Sequence, residues 1–330
     1  MDFVRARYTR WVLAFPLCLA PTAVDSTGAS AVPSGADDPP SNACEGNRGP
    51  LPDVLAFELR AGAFPGSGHP DVAVHVPPRF DATRRPGVVL YFHGWNGCVA
   101  ASVADEDAPC TDEGEPRPAA GLAAQIDEAH VNAVLVAVEL RVDAPSGEPG
   151  QLAMPGDLHE LLRELFSDHL ADSLGCPLDL DTVDRVVVVA HSGGYQAAAS
   201  AVRYGELEQL TEVDLLDALY GAEDIFEDWV MRAASGDVPR LRFVNLYTSE
   251  GGTADRSRSL ASVARRAVRN LDGFVTDDDA TTELTAESLT RPVVFKRVPR
   301  NHAQLPRAYI TSLLRAAGFA PIPPLPAANP

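Results

Sequence analysis

The chain has 330 residues, 45% of them hydrophobic, with 46 Asp and Glu against 27 Lys and Arg and a formal charge of −19. That length and apolar content are enough to bury one large core or two modest ones, which excludes an intrinsically disordered chain. The acidic residues are spread along the sequence instead of gathered in a tail, which argues against a polyanionic partner such as nucleic acid.

Residues 1–31 begin with Arg5, Arg7 and Arg10, continue through an apolar run at 11–20, and end in the small residues Ala29, Ser30 and Ala31. That order of charged, apolar and small segments predicts a secretory signal, and with it an exported protein, periplasmic or secreted. The apolar run is shorter than the roughly 20 residues that span a bilayer, and Pro16 and Pro21 interrupt it, so no transmembrane segment is expected in the mature chain. A lipid anchor at Cys18 is poorly supported, because Phe15, Pro16 and Leu17 are not the small residues that precede a lipidated cysteine. Residues 32–52 are Pro, Gly, Ser, Asp and Asn with little to bury and read as a flexible leader; 321–330 read as a similar tail. Between them, 53–320 reads as one domain.

Within the domain, 54–59 and 72–76 read as an opening pair of strands and 87–92 as a third, ending at His93. Residues 99–118 are polar and read as a loop, 119–129 as helix and 133–142 as strand. Apolar residues recur at helical spacing through 158–174. Residues 183–190 then carry four consecutive valines and an alanine, as a strand buried on both faces should. After it come helix 196–204, strand 213–219, helix 225–233, strand 241–247, helix 254–268, strand 293–298 and helix 305–317. Strand and helix alternating this regularly predict an α/β fold: a mostly parallel central sheet with helices on both faces. Such a sheet takes ligands at the carboxyl ends of its strands, so the chemistry is expected just after each strand.

Four cysteines lie beyond the signal, and in an exported chain they suggest two disulfides. Three pairings are open. Cys98 and Cys110 flank a short polar loop and are the local choice, which leaves Cys44 with Cys176.

Three segments carry candidate chemistry. The valine strand runs directly into His191-Ser192-Gly193-Gly194 and a helix, and so sharp a turn needs the small residues Ala190 and Gly194 two positions either side of the serine. The third strand ends in His93-Gly94-Trp95-Asn96-Gly97, where a glycine lets the backbone present N–H groups to a developing negative charge. The last strand is followed by Pro299-Arg300-Asn301-His302 and then the last helix. A serine hydroxyl is a poor nucleophile until a base of near-neutral pKa takes its proton, and histidine is suited to that.

These segments, in this order, resemble the α/β-hydrolase superfamily, the serine esterases and lipases, over residues 51–319. The pentad around Ser192 is similar to the Gly-x-Ser-x-Gly nucleophile elbow, with Ala190 in place of the first glycine. The resemblance implies Ser192 as nucleophile, His302 as base, and the backbones of Trp95 and Gly193 as an oxyanion hole. His93, Gly94 and His191 are the expected substrate contacts. For the acid, Asp217 is favoured because its apolar setting would bury a carboxylate that then needs a partner; Glu250, Asp224 and Asp255 are the alternatives.

No zinc-ligand spacing and no Gly-x-x-x-x-Gly-Lys phosphate loop occurs, so neither metal nor other cofactor is expected. The implied activity is cleavage of a carboxylic ester in a small-molecule or acyl-bearing substrate, through an acyl-enzyme. A serine peptidase or amidase would use the same residues, and a non-catalytic exported binding protein would keep the fold without the reaction. Oligomeric state is not readable from the sequence.

Overall fold

Every second residue of the central strands is large and apolar on each side, so both faces of the sheet must be covered. In the computed structural model, which describes residues 53–111, 113–142, 147–238, 240–249, 252–267 and 273–322, they are. These residues all belong to one compact unit, Ser41–Pro330; a second unit, Met1–Pro40, lies outside them, as do the expected signal, leader and lipid-anchor site.

The strands in chain order are β1 (Leu55–Phe57), β2 (Val72–His75), β3 (Gly87–Phe92), β4 (Ala108–Pro109), β5 (Pro116–Arg117), β6 (Ala133–Val138), β7 (Arg185–His191), β8 (Leu210–Leu216), β9 (Arg242–Tyr247), β10 (Phe274–Asp277) and β11 (Val293–Arg297). Nine form one sheet in the order β1-β2-β6-β3-β7-β8-β9-β11-β10, while β4 and β5 make a small hairpin of their own. Strand β2 is antiparallel to both neighbours, and every pairing from β6 to β10 is parallel. The helices are α1 (Val99–Val103), α2 (Leu122–Ala129), α3 (Asp157–Glu164), α4 (Ala171–Leu174), α5 (Tyr195–Tyr204), α6 (Glu223–Ser235), α7 (Ala254–Ala267) and α8 (Leu305–Ala316). A π-helical stretch, Leu165–Leu170, joins α3 to α4 without a break, so 158–174 reads correctly as helix although nothing in its sequence marks the change of pitch.

The two faces separate by strand parity. Val88, Leu90 and Phe92 of β3 join a core with α3 to α7, whereas Val89 and Tyr91 join another with α1, α2 and α8. Along β7 the same alternation sends Val186, Val188 and Ala190 to the first core and Val187 and Val189 to the second. Each buried valine, leucine or phenylalanine among them stabilises the fold by roughly 1.5–3 kcal/mol relative to exposure.

Four sequence expectations are corrected. Residues 99–118 are not a plain loop: Val99, Val103 and Ala101 are buried, which gives α1 an apolar side to dock, and the β4–β5 hairpin follows. Strand β6 ends at Val138 instead of 142. Strand β8 spans Leu210–Leu216 instead of 213–219, so Asp217 stands just past its end. Edge strand β10 was not anticipated, because its four residues are at most half-buried and carry no apolar alternation.

The expected Cys98–Cys110 disulfide is present, with Cα atoms 5.6 Å apart, and ties the start of α1 to the end of β4. Cys176 is buried and disulfide-bonded; Cys44, its expected partner, lies outside the described residues. Among the described residues no helix is long and apolar enough to cross a membrane.

Candidate active site

Strand β7 delivers the chain to Ser192 and then must reverse into α5 within three residues. The backbone does so by placing Ser192 at φ +53°, a left-handed conformation that L-residues adopt at a cost of about 1–3 kcal/mol. Closeness on both sides enforces it. A methyl group at Gly194 would stand 2.5 Å from the Phe92 carbonyl oxygen, and one at Gly94 would stand 2.6 Å from the Ser192 Cβ. Only glycine lets the ends of β3 and β7 approach this far. Ser192 is left 8% exposed, at the floor of a cleft of about 410 Å³.

His302 arrives from the other direction. It opens the turn between β11 and α8, and Asn301 anchors that turn as a capping box, its side chain accepting from the Gln304 N–H while the Gln304 side chain accepts from the Asn301 N–H. His302 Nε2 lies 2.9 Å from the Ser192 Oγ, and its Nδ1 lies 2.8 Å from the Asp217 Oδ2. Asp217 is fully buried and stands at φ +48°, directly after β8. Its carboxylate also accepts from the Thr248 N–H at 3.2 Å, the Thr248 hydroxyl at 2.7 Å and the Thr253 hydroxyl. Burial alone would push this carboxyl up; the hydrogen bonds from His302, Thr253 and Thr248 outweigh it and hold it below the ordinary carboxylate range. An ionised Asp217 accepts the Nδ1–H, which leaves Nε2 with a lone pair toward the serine.

The other acid candidates are placed elsewhere. Asp224 is exposed on α6 and paired to Arg203 at 2.5 Å, and Asp255 is exposed on α7 beside Arg258. Glu250 lies outside the described residues.

Across the cleft, the turn after β3 brings Trp95 and Gly193 together: a methyl group on Gly193 would stand 3.4 Å from the Trp95 nitrogen. The Trp95 side chain is 61% exposed at the mouth, and Gly94 lines the cleft beside the serine. His93, an expected substrate contact, is among the residues that line the cleft. It is 2% exposed, with Nε2 2.7 Å from Glu139 Oε1 and Nδ1 2.9 Å from the Gly94 carbonyl. Glu139 Oε2 also accepts from the Val99 N–H, so this pair braces the turn. His191 lines the cleft, but its Nε2 donates to the His302 carbonyl oxygen at 3.0 Å.

Sequence reasoning missed Glu139, Thr248, Thr253 and Tyr220. The Tyr220 ring stands edge-on to His302 with centroids 6.4 Å apart. Tyr220 carried a signal that could have found it, an aromatic three residues past Asp217; the two threonines carried none. Among the described residues no cluster of three His, Cys, Asp or Glu side chains is placed to hold a metal.

No family model and no curated protein matches the chain in sequence. In three dimensions it is similar to the feruloyl esterase module from Clostridium thermocellum, as the S954A mutant complexed with sinapinate. That match has a TM-score of 0.51 at 12% identity, over 84% of this chain and 92% of that one. It also matches the butyrate-bound esterase Est2 of Thermogutta terrifontis (TM-score 0.43, 11% identity, 81% and 92% covered). A third neighbour is a ferulic acid esterase from Anaeromyces mucronatus (0.42, 11%, 84% and 97%). At these identities the first match speaks for the fold, and the chain has the α/β-hydrolase fold.

Proposed function

We propose that the chain is an exported serine hydrolase that cleaves a carboxylic ester through an acyl-enzyme. The reading rests above all on the unbroken run of hydrogen bonds from Asp217 through His302 to Ser192, assembled from the ends of three different strands.

In that reading the Ser192 Oγ attacks the ester carbonyl as its proton passes to His302 Nε2, and Asp217 stabilises the imidazolium so formed. The carbonyl oxygen, now negative, lies against the N–H groups of Trp95 and Gly193, each donor of this kind being worth roughly 2.7–4 kcal/mol of barrier. His302 returns the proton to the leaving alkoxide, which departs as the alcohol. Water then attacks the acyl-Ser192 ester with His302 again as base, releasing the acid and restoring the hydroxyl. No step calls on a cofactor. The Cys98–Cys110 bond and the amino-terminal signal pattern support export, since disulfides persist in oxidising compartments.

The test compares 4-nitrophenyl esters of increasing chain length with peptide 4-nitroanilides, on wild-type protein and Ser192→Ala. Ester turnover that Ser192→Ala abolishes is the expected result. Turnover of anilides at the greater kcat/KM would make the protein a peptidase or amidase, and a folded protein inert toward both would leave a binding protein on a hydrolase fold.

A further inference from the structure

The period of two along β7 puts His191 on the side of Val187 and Val189, the side that α8 covers, so its imidazole lies beneath the turn that carries His302. Its Nε2 is 3.0 Å from the His302 carbonyl oxygen. A carbonyl can only accept, so this nitrogen carries the hydrogen. The two rings lie with centroids 4.7 Å apart, tilted by 34°. The same carbonyl accepts the Leu305 N–H that closes the turn before α8, so His191 holds the main chain at the residue where that turn begins.

We propose that His191 is a positioning residue: its Nε2–H fixes the His302 main chain and its ring backs the His302 ring, keeping the His302 Nε2 in reach of the Ser192 hydroxyl. This rests on the reading of His302 as the base. The ionisable groups that face His191 are His302, Asp217 and His93. Burial, reinforced by the nearby His302, holds the His191 imidazole down to about 4, so near neutral pH it is an uncharged donor that adds no repulsion when His302 takes up a proton. A base that drifts by about 1 Å loses on the order of 100-fold in rate, which bounds what such a clamp can contribute.

Two variants separate positioning from substrate contact. His191→Phe keeps an aromatic ring and removes the donor; His191→Gln keeps a donor and removes the ring. With ester substrate, His191→Phe should lower kcat by about 10- to 100-fold while KM stays within about twofold. His191→Gln should regain at least about fivefold of that loss, with both variants folded by circular dichroism. An active wild type would overturn the proposal by itself if His191→Phe kept wild-type kcat, if KM rose while kcat held, or if His191→Gln regained nothing. A folded wild type without turnover of any ester would overturn it together with the reading beneath it.

Discussion

Replacing Asp217 by Asn preserves the shape of a fully buried side chain and removes its charge. In the wild type, Oδ1 accepts from the Thr248 N–H and the Thr253 hydroxyl, and Oδ2 accepts from the Thr248 hydroxyl and the His302 Nδ1–H. An asparagine must set its NH₂ against one of these two groups of donors. The Thr248 main-chain N–H cannot turn away, whereas a hydroxyl can rotate and an imidazole can change tautomer. The amide nitrogen therefore faces Thr248 Oγ1 and His302, and Nδ1 becomes the acceptor. The proton then sits on Nε2, pointed at Ser192, and the base has no lone pair to offer. A wrong tautomer of this kind is worth about 10⁴-fold in kcat, or about 5.4 kcal/mol at 1.36 kcal/mol per tenfold. Losing hydrogen bonds to a charged acceptor also lowers stability by roughly 1.5–3 kcal/mol, so the assay belongs well below the variant's melting temperature. Steady-state turnover of 4-nitrophenyl butyrate, with circular dichroism on the same sample, reads both effects. A folded variant retaining kcat within tenfold of wild type would refute the reasoning.

Three further outcomes are expected. Gly94→Ala would place a methyl group 2.6 Å from the Ser192 Cβ and 3.1 Å from the His191 carbonyl oxygen, so kcat should fall about 100-fold and stability by about 1–3 kcal/mol, read by ester kinetics and urea titration. Serine at both Cys98 and Cys110 opens a loop of 12 residues' separation and should lower stability by up to about 3 kcal/mol in denaturant titration under non-reducing conditions. Asp214, buried beside Glu212 on β8, has its carboxyl pushed well above the ordinary range by burial and by the Glu212 charge. The native state thus binds that proton more tightly than the unfolded chain, and stability falls as pH rises from the ordinary carboxylate value toward the native one. Asp214→Asn should therefore raise the melting temperature at pH 7 more than at pH 4, by roughly 2–4 °C per kcal/mol.

The parts of the fold written in the sequence are those with strong periodicity. Strand β3 coincides with its expected span because all six of its residues are buried, and β7 announces itself through Val186 to Val189. What escaped lacks that contrast: β10 is a part-exposed edge, α1 has only five residues, and the shift to π pitch at Leu165 changes hydrogen bonding without changing composition. In the site, Ser192 and His302 stood at positions that chain order alone suggests. Asp217 stood out as a carboxylate among apolar neighbours, and the structure places it within reach of His302. The histidines beside the serine and the glycine loop were harder. Period two gives the face on which His191 lies, but no local pattern says that its ring nitrogen meets a carbonyl 111 residues away. His93 likewise depends on Glu139, just past the end of a different strand.

The most direct check is intact mass and peptide mapping after exposure of the protein to a fluorophosphonate probe near neutral pH. A single adduct on Ser192, formed slowly in His302→Ala and absent in Ser192→Ala, is predicted. Folded protein that takes no adduct, or takes it on another residue, would contradict the account.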